Sequence, residues 1–116
     1  KPLRPARMIG HSLGAASAQI AGASLGIPVI AFASPRTKHG ARRFPNEGWV
    51  LNLNRRDDTV GWIPPAGFGF RHLGSVYALK PPTPNIGIDH AMDHYIALLR
   101  HPRAGRRVPK VWPPRR

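Results

Sequence analysis

The sequence contains no cysteine. Disulfides and thiolate metal sites are therefore excluded, and the redox compartment stays open. Carboxylates are scarce: 5 Asp and Glu stand against 18 Lys and Arg, for a formal charge of +13. A surplus of that size favours polyanions and anionic surfaces as electrostatic partners. No apolar run approaches the roughly eighteen residues that a membrane-spanning helix requires. No leader-like stretch opens the chain, but it begins at Lys1 without an initiator methionine and reaches a GxSxG pattern at once. The start therefore reads as cut, and it says nothing about secretion or compartment.

A chain of 116 residues holds one domain at most, with a modest core. Its cations thicken toward the end, in "RHPRAGRRVPKVWPPRR". A segment so rich in Pro and Arg and so poor in periodic apolar residues cannot bury enough surface to fold. Residues 1–99 are accordingly read as folded, and 100–116 as a disordered basic tail.

The apolar pattern alternates between two periods. Residues 6–10 read as a short buried strand, and 13–26 as a helix with Leu13, Ala16, Ile20 and Ala23 inward and Gly26 as its stop. Residues 27–34 have the length and branched composition of a second buried strand. Strand, turn, helix, strand implies a parallel pair joined by a right-handed crossover. "WVLNLN" (49–54) predicts a third strand, with Trp49, Leu51 and Leu53 on one face and Val50, Asn52 and Asn54 on the other. Residues 61–74 read as loop from their Pro and Gly content, 75–80 as a short edge strand, and 89–99 as a helix. Ala91, Met92, Tyr95, Ile96 and Leu99 are its expected inward residues.

In an open parallel sheet, reactive groups gather at the carboxyl ends of the strands, where loops converge over a rigid base. Ser12, Asp57 or Asp58, and His90 or His94 all fall at or after such ends. A serine hydroxyl attacks an ester only when an imidazole takes its proton and a carboxylate fixes that imidazole's tautomer. The order Ser, Asp, His is that of the α/β-hydrolases. In "GHSLG", Gly10 and Gly14 flank the serine and allow a tight strand-to-helix turn, with the Leu13 amide as the natural oxyanion donor. The plainer alternative is a serine that caps the following helix. Either aspartate can be read as the acid from position alone, or as a surface carboxylate balancing Arg55 and Arg56.

Five blocks in order, "GHSLGAASA", "FASPR", "NRRDDTVGWIPP", "GFGFRHLG" and "DHAMDHY", resemble the carboxyl-terminal half of the class 3 lipases, the fungal triacylglycerol-lipase type of α/β-hydrolase. The likeness spans roughly residues 8–99. It implies a partial α/β-hydrolase fold, a mostly parallel sheet with flanking helices. It also implies a serine ester hydrolase of lipid metabolism, acting on lipids or other carboxylic esters without metal or organic cofactor. By the family pattern Ser12 is the nucleophile and His11 the usual elbow residue beside it. Asp58 begins the DxVxxxPP block and is the implied acid, with Asp57 its neighbour. His90 fits the base better than His94, and His72 takes a structural or pocket-wall role. His39 and His101 fall outside every block.

The sequence departs from the family at Ala33 and Ala15, where glycine is usual, and through "RTKHGARRF". Ala for Gly is costly only where φ is positive. The family's amino-terminal half, with the first strands, the lid and the second oxyanion donor, has no counterpart here, so the expectation is a fragment whose activity alone is not implied. Two other readings compete: a basic module for an anionic membrane or nucleic acid, and a non-catalytic hydrolase remnant. No base-reading motif is present, so specific nucleic-acid recognition is not expected.

Overall fold

The computed structural model describes residues 5–81 and 90–101. Four strands, β1 (Met8–His11), β2 (Val29–Phe32), β4 (Val50–Arg55) and β6 (Ser75–Leu79), form one sheet in that order, and every neighbouring pair is parallel. Helix α1 (Leu13–Leu25) covers one face and α2 (Met92–Arg100) the other. The chain is thus an α/β domain with a parallel sheet and flanking helices. Strand β6 ends the sheet, in the edge position its sequence suggests. Between β2 and β6 lies a two-stranded antiparallel ribbon, β3 (Lys38–His39) with β5 (Phe70–Arg71). At two residues per strand it is too short to show an alternation in sequence. None of the described helices is long and apolar enough to cross a membrane.

The alternation of a strand sorts side chains onto two cores. Val29, Ala31 and Val50 face α1 with Ala15, Ala23 and Leu73, whereas Leu51 and Leu53 face α2 with Ala33, Leu79, Tyr95 and Leu98. The face assignment of Leu51 and Leu53 against Val50 and Asn52 therefore matches. Trp49 does not: it lies in a 3-10 turn, Glu47–Trp49, ahead of β4 and is exposed.

Helix α1 sits in a different rotation from the one expected. Leu13 and Ile20 are exposed, and the buried residues are Ala15, Gln19, Gly22 and Ala23. An alanine-rich helix carries little amphipathic contrast, so close approach decides which face docks. A Cβ on Gly22 would lie 2.1 Å from Val29 Cγ2 and 2.7 Å from the Ile27 carbonyl oxygen. The helix rests on its smallest residues because the sheet comes that near. Gly26 stops it as expected, in the left-handed conformation with φ 70°.

Helix α2 begins at Met92, so His90 precedes it in a turn, and Ala91 stands at the cap. Tyr95 and Leu98 are buried and Ile96 is exposed, which shifts the inward face by part of a turn from the expected one. The helix also extends through Arg100, one residue into the segment assigned to the tail; positions 102–116 of that segment lie outside the described residues.

Candidate active site

Parallel strands end on one rim, and the predicted site residues lie along it. Ser12 follows β1 directly and has φ 58° and ψ −125°. For a residue with a Cβ this region costs on the order of 1–3 kcal/mol, so the surroundings must hold it there. Three backbone bonds do so: Ser12 N–H donates to the Phe32 carbonyl at 3.0 Å, and the Ser12 carbonyl accepts from the amides of Ala15 (3.0 Å) and Ala16 (3.3 Å). The hydroxyl makes no capping bond to the helix, which removes the plain helix-cap reading. The Leu13 amide is the first of the helix, among the amides that have no intrahelical acceptor.

Crowding explains Gly10 but not Gly14. A Cβ on Gly10 would lie 2.5 Å from the Gly14 carbonyl oxygen and 2.7 Å from Ala15 Cα. A Cβ on Gly14 would meet nothing among the described residues within 4 Å, so the tight turn does not require glycine there as the sequence pattern suggested.

Asp58 lies just past β4, at the cap of a 3-10 turn (Thr59–Trp62), and is 1% exposed. Its Oδ1 accepts the Val60 amide at 3.0 Å, and its Oδ2 accepts the Tyr95 hydroxyl at 2.7 Å. His90 Nδ1–H donates to Oδ2 at 2.9 Å. A carboxylate only accepts, so the proton of the neutral His90 ring sits on Nδ1 and Nε2 is left as acceptor. Ser12 Oγ–H donates to that Nε2 at 2.8 Å. Hydroxyl, imidazole and carboxylate thus form one continuous hydrogen-bonded chain, drawn from β1, the turn before α2 and the end of β4.

The two neighbouring aspartates have separate surroundings. Asp57 receives Arg55 Nε at 2.9 Å and Nη2 at 3.0 Å, a buried fork, while Arg55 Nη1 reaches the His94 carbonyl at 3.4 Å. A buried guanidinium requires such a pairing. His94 is an exposed residue of α2, whereas His90 is the histidine hydrogen-bonded to the serine.

Sequence reasoning gave Tyr95 only as a core residue. It is fully buried, donates to Asp58, and accepts the Arg55 amide at 2.9 Å. Burial pushes its phenol well above the ordinary range, and its bond to the carboxylate acts in the same sense. The hydroxyl therefore stays a donor at any physiological pH. No spacing rule pointed to this contact; the signal available was an aromatic carrying a polar atom at a buried position.

His72 donates from Nε2 to the Gly61 carbonyl at 3.0 Å, tying the loop before β6 to the turn that carries Asp58. Burial lowers its pKa, so the ring is neutral. Its place agrees with a structural role. His39 is exposed and bonds the Phe68 carbonyl at 3.0 Å, in the ribbon of β3 and β5.

Exposed apolar side chains flank these residues in the chain: Leu13 directly after Ser12, and Trp62 and Ile63 at the end of the turn that Asp58 caps. Arg56 and Lys80 follow the carboxyl ends of β4 and β6 and are also exposed. No protein-family model matches this sequence.

Proposed function

We propose that this chain is the carboxyl-terminal half of a lipase-like α/β-hydrolase domain and that its site cleaves carboxylic esters. Ser12 Oγ attacks the acyl carbon while His90 Nε2 takes its proton. The Leu13 amide donates to the oxyanion that forms, at the amino end of α1. The proton then passes from His90 to the departing alcohol, leaving an acyl group on Ser12. Water, deprotonated by the same imidazole, releases the acid. Asp58 keeps the His90 proton on Nδ1 throughout and stabilises the imidazolium.

One observation carries the reading: Ser12 Oγ lies 2.8 Å from His90 Nε2 while the same ring's Nδ1 lies 2.9 Å from Asp58. A cap serine and a solvated histidine have no reason to meet in this way. The test is hydrolysis of p-nitrophenyl butyrate and of a triacylglycerol emulsion, by the chain and by any longer protein that contains it. Ser12→Ala is expected to lower kcat by on the order of a thousandfold or more. Undiminished hydrolysis in that variant would overturn the proposal.

A second reading, compatible with the first, is adsorption to an anionic membrane surface. Among the described carboxylates, Glu47, Asp57 and Asp58 are buried and paired, and Asp93 is the exposed one. Arg7, Arg42, Arg43, Arg56, Lys80 and Arg100 are exposed. Sedimentation with phosphatidylglycerol vesicles that fades as salt rises supports this reading, and equal sedimentation with phosphatidylcholine contradicts it. Retention on DNA over vesicles would favour the nucleic-acid form of the basic-module alternative.

A further inference from the structure

The turn that carries His90 lies outside the backbone ladder of α2, so something other than the helix must fix its position. The ring of His90 is bonded at both nitrogens, but those bonds do not by themselves hold its main chain. The main chain is held from the opposite side of the site. His11 Nε2 lies 2.8 Å from the His90 carbonyl oxygen. A carbonyl only accepts, so Nε2 of His11 carries the proton and donates. The two imidazole rings also pack against each other, with centroids 4.9 Å apart and planes inclined by 32°.

His11 is the last residue of β1, bonded in register to Phe32 of β2, and it immediately precedes Ser12. The end of one strand thus fixes both members of the Ser12–His90 pair, one by covalent linkage and the other through the His11 side chain. We propose that His11 is a positioning residue: its Nε2–H bond to the His90 carbonyl sets the distance between the imidazole and the Ser12 hydroxyl. This rests on the ester-hydrolase reading given above.

Two substitutions separate the bond from the ring. His11→Phe keeps a planar ring and removes the donor, whereas His11→Gln removes the ring and places an amide N–H near the position of Nε2. His11→Phe is expected to lower kcat on the order of 10–100-fold with KM unchanged, because a small misplacement of the base costs that much. His11→Gln is expected to restore most of the loss. Equal activity of His11→Phe and the wild type overturns the proposal, and so does a His11→Gln variant as poor as His11→Phe. Should His11→Phe fail to fold, imidazole 15N–1H correlation spectra of the wild-type chain decide the matter. A proton on Nε2 of His11 is expected, and one on Nδ1 overturns the bond. Failure of the parent reading looks different: Ser12→Ala then hydrolyses as well as the wild type, whatever His11 does.

Discussion

Replacing Tyr95 by Phe removes one oxygen and leaves the ring, including its edge contact with Phe32 at a centroid distance of 6.4 Å. The loss falls on two buried groups at once. The Arg55 amide loses its acceptor at 2.9 Å, and an orphaned buried amide costs roughly 1–3 kcal/mol. Asp58 loses a donor at 2.7 Å, but it keeps the Val60 amide and His90, so this part falls at the low end for a bond to a charged group, roughly 1.5 kcal/mol. The two losses meet at one hydroxyl and are not independent, so we expect a combined destabilisation of about 2–4 kcal/mol. That is a large share of the roughly 5–15 kcal/mol by which a domain is stable. Urea unfolding at pH 7, followed by circular dichroism, reads it as a lower midpoint at unchanged slope. Because the phenol stays protonated far above neutrality, the difference should not vary between pH 6 and pH 9. Tyr77→Phe, also packed on that core, is the control and should change stability by less than about 0.5 kcal/mol. A Tyr95→Phe change no larger than the Tyr77 control would refute the claim that this hydroxyl ties β4 and Asp58 to α2.

The neighbouring aspartates should separate stability from turnover. Asp57→Ala leaves the Arg55 charge buried without its forked partner and should cost roughly 3–5 kcal/mol in urea unfolding. Asp58→Asn should instead lower kcat by several hundredfold or more through the wrong His90 tautomer, roughly as a triad acid does elsewhere. Gly22→Ala drives a methyl into Val29 and should lower the urea midpoint by the equivalent of roughly 1–3 kcal/mol, while Gly14→Ala should raise it by up to about 1 kcal/mol. For Glu47, burial raises its pKa, but bonds from Arg71 and from the Gly74 and Phe44 amides outweigh burial and leave it lowered from 4.5. The folded state thus binds fewer protons than the unfolded one, and the contribution is present above the unfolded value and lost as pH falls through the folded one. The stability gap between wild type and Glu47→Gln should accordingly be widest near pH 7 and close in acid; a gap independent of pH would contradict the assignment.

The strands were legible because their signals are local. "VIAF" and "VLNL" carry branched, buried residues over the right length, and both became central parallel strands. Ser12, Asp58 and His90 were legible as candidates because they stand where strands end, and the motif blocks set Asp58 before Asp57 and His90 before His94; hydrogen bonds join Ser12 to His90 and His90 to Asp58. What stayed illegible depends on approach distances. The rotation of α1 turns on how closely Gly22 meets Val29, which no hydrophobic count contains. The ribbon of β3 and β5 and the bonds of Tyr95 and His11 join residues far apart in sequence, and no periodicity marks them. Ala33 shows where a conditional reading was resolved: its φ of 53° makes alanine, in place of the glycine usual in the resembled family, the costly choice. Its buried methyl packs in the core with Leu51 and Tyr95, which offsets part of that cost.

The most direct measurement is peptide mapping by mass spectrometry after treatment with a fluorophosphonate. The account predicts a single phosphonyl adduct on Ser12, formed at a rate that collapses in His90→Ala and persists in His94→Ala. An adduct spread over other serines, or a Ser12 that reacts equally well without His90, would contradict it.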